Sequence, residues 1–186
     1  MSLTVWVGLA LFILANALYV AAEFGAVGVR RSRVRRMSED GHGLARRLLK
    51  HVDDPASLDR YVGVSQIGIT LSSLLLGAFA QATVTVGLAP HVAGWFDLQP
   101  VTALSTTIVF VLVTLTATQL VVSELVPKAL ALQHPTETAL ATLLPMEASL
   151  VLFRPLIGLL NGTANLLLRL IGVGSQAHRH LHSPEE

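Results

Sequence analysis

The sequence has no cysteine, little charge and few aromatic residues. Without cysteine, the chain can form neither disulfide bonds nor thiolate metal sites. Charged residues make up 13% of the 186 residues and hydrophobic residues 52%, whereas about a quarter of the residues in soluble domains are charged. This composition argues against a soluble domain and indicates an integral membrane protein.

Two further signals are missing from the sequence. It shows no paired nucleophile and base and no phosphate-binding loop, so we do not predict an enzyme. The most basic segment, Arg30 to Lys50, has no aromatic residues interleaved with its charges. Because proteins that bind single-stranded nucleic acid combine basic grooves with aromatic stacking platforms, we expect lipid rather than nucleic acid to be its partner.

The basic residues are concentrated in one part of the chain. Eight of the thirteen Lys and Arg residues lie between Arg30 and Lys50, and none lies between Tyr61 and Pro127. Positive residues flanking a membrane span stay in the cytoplasm. The pattern therefore predicts a multi-pass protein of the cell's inner (plasma) membrane, with the N-terminus outside and the C-terminus in the cytoplasm.

Three apolar stretches predict membrane-spanning helices at about residues 3–26, 61–87 and 101–126. Each is long enough to cross a hydrocarbon core of about 30 Å. The basic segment 30–50 mixes leucines with arginines and predicts an amphipathic helix on the anionic inner leaflet. A solvated charged loop is the alternative for this segment.

The last apolar region, residues 137–172, contains Pro145 and Pro155. Proline removes a backbone donor and biases the preceding residue away from helix. We therefore expect two juxtamembrane helices, arranged as a re-entrant or juxtamembrane hairpin, rather than a fourth crossing. Residues 175–186 are polar and are expected to form a linker, so the membrane domain is placed at residues 1–174.

Polar residues follow one face of each predicted span. An ionisable group inside a membrane costs roughly 2.5 to 3.5 kcal/mol, so it is a candidate for function. The three spans contain two acids, Glu23 and Glu124. Helical spacing places polar side chains on one face of each span. They are Asn16, Tyr19 and Glu23 on the first span; Gln66, Thr70 and Ser73, beside Ser72, on the second; and Thr116, Gln119 and Ser123, before Glu124, on the third. Packing between helices is the alternative role for the hydroxyl groups.

Pro127 predicts a break at the end of the third span. Its nitrogen has no N–H, so the carbonyl of Ser123 would lose its helical donor and lie free beside Glu124. Transporters place ion sites at such unwound points, and Lys128 would pair with Glu124 while the site is empty. Oxygen ligands suit a hard cation. The alternative is a proline that merely ends the span at the membrane surface.

Three segments in the same order and spacing resemble a known family: NALYVAAEFGAVGVRRSR, QIGITLSSLLLGA and SELVPKALALQ. They are similar to the DUF21 (CNNM) transmembrane domain of the CorC/CNNM magnesium transporters, which include bacterial hemolysin-like proteins. The resemblance implies an all-α dimer with three spans and an inner juxtamembrane belt. It also implies Mg²⁺ export coupled to Na⁺ entry, and ATP binding only through cytoplasmic CBS domains that follow in the family and are absent here.

The resemblance also assigns roles to particular residues. The residues it implies as metal ligands, with their oxygen atoms, are Glu124, Ser123, Ser73, Thr70 and Glu23. The other residues expected to line the cavity are Asn16, Gln66, Ser72, Gln119, Pro127 and Lys128.

Two positions depart from the family pattern. Well-studied members carry serine at the position of Val20 and asparagine at that of Ile69, which leaves fewer ligand oxygens in this chain. Other branches of the family are linked to polyamines. The sequence therefore leaves three hypotheses: a Mg²⁺ exporter, an exporter of another cation such as a polyamine, and a non-transporting anchor or sensor for CBS domains.

Overall fold

The computed structural model describes residues 2–170 of the chain, and these residues contain no β-strand. They form nine α-helices and two π-helical turns, in this order: α1 (Leu3–Gly28), α2 (Arg31–Glu39), α3 (Gly43–Val52), α4 (Pro55–Ala80), a π turn (Gln81–Thr85), α5 (Val86–Phe96), α6 (Pro100–Gln119), a π turn (Leu120–Leu125), α7 (Val126–Gln133), α8 (Pro135–Leu152) and α9 (Arg154–Leu170).

Three helical segments of the described chain are long and apolar enough to cross a membrane. They are Leu3–Gly28, Pro55–Phe96 and Pro100–Gln133. The predicted all-α fold with three spans is confirmed. The second and third segments extend beyond the predicted ranges because each continues through a π turn into a further α-helix.

The ends of these helices follow from local sequence. Asp54 caps α4 by accepting a hydrogen bond from the Ser57 N–H, and Pro55 occupies the first turn, where its missing N–H costs nothing. Asp97 ends α5 in the left-handed region with φ 49°. The stretch left between the second and third predicted spans is therefore reduced to residues 97–99, because α5 accommodates Pro90.

The basic segment forms two helices, α2 and α3, and its apolar residues point into the protein. Val34, Ala45, Leu48 and Val52 are buried in a core that α1 and α8 complete. The segment is helical and amphipathic as predicted. Its apolar face is covered by protein rather than by acyl chains, because α1 and α8 offer it an apolar surface.

The helices α8 and α9 meet at Phe153 and are bent by 62° relative to each other. Two helices are present as predicted, but Pro145 lies inside α8 instead of interrupting it. The two helices meet at an elbow, and together they are apolar enough to form a broken span or a re-entrant loop. Residues 171–172 of the predicted helical region and the predicted linker 175–186 lie outside the described residues.

Tyr19 of α1 contacts both α4 and α8. Its ring lies against Gly68 of α4, where a Cβ atom would come within 2.5 Å of the ring. Its hydroxyl is 2.9 Å from the Ser149 hydroxyl of α8. Only glycine leaves room for the ring at position 68, so this residue sets the distance between α1 and α4.

Candidate functional site

A network of neutral polar groups joins the three spans. The Asn16 amide of α1 donates to the Ser73 hydroxyl of α4 at 2.6 Å, and the Gln119 amide of α6 donates to the same hydroxyl at 2.6 Å. Asn16 is fully buried, whereas Ser73 and Gln119 are partly buried. One hydroxyl oxygen is therefore shared by side chains from all three spans.

The orientation of the Asn16 amide is fixed by a second bond. Its Nδ2 also donates to the Ile69 carbonyl at 3.1 Å, and a carbonyl can only accept. The opposite atom, Oδ1, is buried and has no hydrogen-bond partner among residues 2–170. A buried acceptor without a donor costs about 1 to 3 kcal/mol. This oxygen can therefore coordinate a cation or accept a hydrogen bond from a water molecule.

Two predicted site residues bond only within their own helices. Ser72, next to Ser73, is buried and donates to the carbonyls of Gly68 at 2.7 Å and Ile69 at 3.1 Å. The Ser123 hydroxyl is buried and donates to the Gln119 carbonyl at 2.7 Å. Neither side chain reaches the network around Ser73. Ser72 is thus part of helix packing rather than of a cavity wall.

The helix does not unwind at Pro127, so that prediction is wrong. The chain passes through the π turn Leu120–Leu125 and resumes as α7, with Pro127 in its first turn. Pro127 has no N–H to donate to the preceding turn, and the change from α to π hydrogen bonding in that turn lets the segment remain helical. The π turn accommodates the proline that was expected to break the span.

The two acids lie towards the C-terminal ends of the first and third spans and are both partly buried. Glu124 takes no part in the ion pairs of the described residues, so the predicted pair with Lys128 is wrong. Lys128 instead places its ammonium 4.5 Å from the centre of the Phe24 ring. Gln66 and Lys128 lie near Glu23.

Gln66 and Thr70 do not join the network either. Both are exposed and line a groove between α4 and α9, with a volume of about 650 Å³. Among the described residues, no three acidic or histidine side chains are grouped so that they could hold a metal ion. Within residues 2–170 the structure thus brings together Asn16, Ser73 and Gln119, and no hydrogen bond there joins them to the acids.

The carbonyl of Ile69 is the group that sequence reasoning missed. Position 69 was considered only for the side-chain oxygen that isoleucine lacks, yet its backbone oxygen accepts bonds from Asn16 and Ser72. A serine that bonds back to its own helix is a known pattern. That pattern could have indicated the bond from Ser72, but the bond from Asn16 depends on how α1 and α4 are aligned.

A multi-pass helical membrane protein with polar side chains meeting between its spans is the class that this structure defines. The chain belongs to the CNNM family, because the family model described as the Cyclin M transmembrane N-terminal domain matches residues 7–186. The family consists of membrane transporter proteins and not of classical enzymes.

Several curated proteins are similar to this chain. UPF0053 protein YhdT of Bacillus subtilis is 34% identical over 92% of this chain and 36% of its own length. UPF0053 protein YrkA of the same organism is 32% identical over 95% of this chain and 40% of its length. The polyamine export protein of Haemophilus influenzae is 24% identical over 88% of this chain and 37% of its length. The chain spans less than half the length of these relatives.

Proposed function

We propose that this protein moves a cation across the membrane and binds it at the network of Asn16, Ser73 and Gln119. The observation that supports this most directly is the buried Asn16 Oδ1, which has no partner within residues 2–170. A membrane interior offers no water to such a group, so polar groups there are normally satisfied within the protein. An acceptor kept unsatisfied beside a shared hydroxyl suits a ligand that comes and goes.

Mg²⁺ is the cargo that we propose first. The network offers oxygen atoms from Asn16, Ser73 and the Ile69 carbonyl, and rotation of the Gln119 amide would add a fourth. Hard cations prefer oxygen ligands, and Mg²⁺ keeps several of its waters, so a few protein oxygens are enough. Glu23 and Glu124, both partly buried, would attract the ion at the inner ends of the spans.

The direction and setting of transport are also proposals. We propose export from the cytoplasm driven by Na⁺ entry, in a homodimer of the inner membrane whose N-terminus is outside. The concentration of arginine in α2 and α3 supports this orientation, because positive residues near spans remain in the cytoplasm.

A polyamine is the second candidate cargo, and two observations favour it. The described residues do not group three acidic or histidine ligands, and the face of Phe24 already holds an ammonium group, that of Lys128. Aromatic faces attract ammonium groups. The Haemophilus relative that is named a polyamine export protein gives this candidate further support.

Substitutions at the adjacent residues Ser72 and Ser73 test whether a cation passes through the network. The chain is reconstituted in proteoliposomes, and fluxes of Mg²⁺ and of putrescine are measured with and without a Na⁺ gradient. Ser73→Ala removes the shared hydroxyl and is expected to lower the flux of the cargo about tenfold, the equivalent of losing one good contact. Ser72→Ala is the matched control and is expected to change flux less than about twofold, because Ser72 bonds only its own helix.

The outcomes separate the proposals. Mg²⁺ flux that falls in Ser73→Ala alone supports the first cargo, and putrescine flux with the same dependence supports the second. Glu124→Ala is expected to lower Mg²⁺ flux by weakening the attraction of the ion towards the network, while the protein remains folded by circular dichroism. Equal fluxes in the two serine variants, or proteoliposomes that move neither cation under any gradient, would contradict transport through this network.

A further inference from the structure

The lining of the groove between α4 and α9 changes from charged to apolar along its length. At one end it is lined by the charged side chains of Asp59 and Arg60, and at the other by Leu71 and Leu74. The wall formed by α9 is apolar throughout, with side chains from Leu156, Ile157 and Leu160. The groove is open on one side, so in a membrane acyl chains can enter its apolar part.

The dimensions of the groove match one leaflet of a bilayer. Asp59 and Leu74 are fifteen residues apart on one helix, which corresponds to about 22 Å at 1.5 Å per residue. Half of a bilayer with its headgroups is roughly 20 to 22 Å thick. The charged end lies near the start of α4, which directly follows the basic helices α2 and α3. The charges therefore lie at headgroup level on the side of α2 and α3.

We propose that a phospholipid with a primary ammonium headgroup, phosphatidylethanolamine, occupies this groove. Both charged side chains at its mouth are exposed, and neither takes part in the ion pairs of the described residues. The Arg60 guanidinium, which donates to the Ser57 hydroxyl at 3.0 Å, has further N–H groups to bind the phosphate. The Asp59 carboxylate accepts hydrogen bonds from the ammonium group.

The pair of charges distinguishes among headgroups. A phosphatidylglycerol headgroup has a phosphate for Arg60 but nothing positive for Asp59. A phosphatidylcholine headgroup carries a positive charge, but its quaternary nitrogen has no hydrogen to donate. Only a primary ammonium next to a phosphate satisfies both side chains with charge-assisted hydrogen bonds, which are about twice as strong as neutral ones.

The floor of the groove offers a way to block it. Gly63 lines the groove, and a Cβ atom there would meet no other atom within 4 Å. A larger side chain at this position would thus enter the space for the lipid without colliding with the described protein. Gly77 lies on the same helix and is equally unobstructed, but it does not line the groove. It provides a matched control.

The test is native mass spectrometry of the whole chain, purified in detergent and titrated with dioleoyl forms of phosphatidylethanolamine, phosphatidylglycerol and phosphatidylcholine. We expect wild-type protein to retain phosphatidylethanolamine about tenfold better than the other two, as the one extra charge-assisted bond to Asp59 would give. Gly63→Leu is expected to lose this lipid, whereas Gly77→Leu should retain it.

Two charge variants assign the headgroup contacts. Asp59→Asn should remove the preference over phosphatidylcholine, and Arg60→Gln should weaken retention of all three lipids. Equal retention of the three lipids by wild-type protein, or retention by Gly63→Leu equal to that of Gly77→Leu, would overturn the proposal. The lipid site does not depend on transport, so Ser73→Ala should keep its lipid even if it loses flux.

Discussion

Two polar regions of this protein are built from opposite kinds of group. Between the spans, Asn16, Ser73 and Gln119 form a neutral network around one hydroxyl. On the side of α2 and α3, arginines pair with carboxylates, such as Arg33 with Glu137 at 2.9 Å, and both of these side chains are more than half exposed. The network between the spans thus uses amides and a hydroxyl, whereas the contacts on the side of α2 and α3 use charges.

The difference follows from the cost of burial. A buried neutral group needs a hydrogen-bond partner, but a buried charge needs far more compensation. Exposed ion pairs contribute only about 0 to 1 kcal/mol each, because water and salt screen them. We therefore expect the neutral network to contribute more per residue to stability than the ion pairs, although it carries no formal charge.

The largest effect is expected from breaking the neutral network. Asn16→Leu keeps a similar volume but removes one of the two donors to the Ile69 carbonyl and one of the two donors to the Ser73 hydroxyl. The expected loss is about 1 to 2 kcal/mol, which is the upper range for polar contacts between membrane helices. Denaturant unfolding in detergent measures it. Ser105→Ala is the control, because that exposed hydroxyl bonds only the Val101 carbonyl of its own helix. An equal loss of stability in both variants would contradict the larger contribution expected from the network.

A smaller effect is expected from the most buried ion pair. Glu147 of α8 bonds Arg47 of α3, and His51 lies 3.4 Å from the same carboxylate. Glu147→Gln is expected to cost at most about 1 kcal/mol, and the loss should shrink at high salt. The same unfolding measurement at low and high salt checks this. A loss greater than that of Asn16→Leu would reverse the comparison between the two regions.

The smallest effect is expected at Glu137 and depends on pH. A hydrogen bond to its own backbone, followed by the charge of Arg33, holds the pKa of the Glu137 carboxyl below its usual value. Because this folded-state pKa is lowered, its stabilising effect is present above the usual carboxyl pKa and is lost as the pH falls through the folded value. Arg33→Gln should move the midpoint back towards the usual value. Carboxyl-carbon NMR titration measures the midpoint, and an unchanged midpoint would contradict the role of Arg33.

The sequence predicted the spans well because long uncharged runs and positive flanks have few alternative explanations. It also named Asn16, Ser73 and Gln119, since each is a polar residue inside an apolar helix. It could not distinguish Ser73 from Ser72, because adjacent residues point about 100° apart and only the packing of α1 on α4 decides which faces inward. Nor could an amphipathic pattern tell whether lipid or protein would cover the apolar face of α2 and α3.

Pro127 was misread for a different reason. The rule that proline breaks a helix assumes regular α-helix before it, whereas the preceding residues form a π turn. The sequence of that turn, Leu120–Leu125, is ordinary apolar sequence apart from Ser123 and Glu124. No local pattern in these residues predicts a π turn. That the third segment continues as a helix past Pro127 is therefore known only from the three-dimensional structure.

The π turn Leu120–Leu125 also sets how far α7 is rotated about the helix axis relative to α6. One additional residue in a helix corresponds to a rotation of about 100° around its axis. The halves of this one rod therefore face in different directions, so that Gln119 is directed at Ser73 while, two turns later, Lys128 lies over Phe24. Deleting one residue from the turn would leave the rod straight but misalign one of these two contacts.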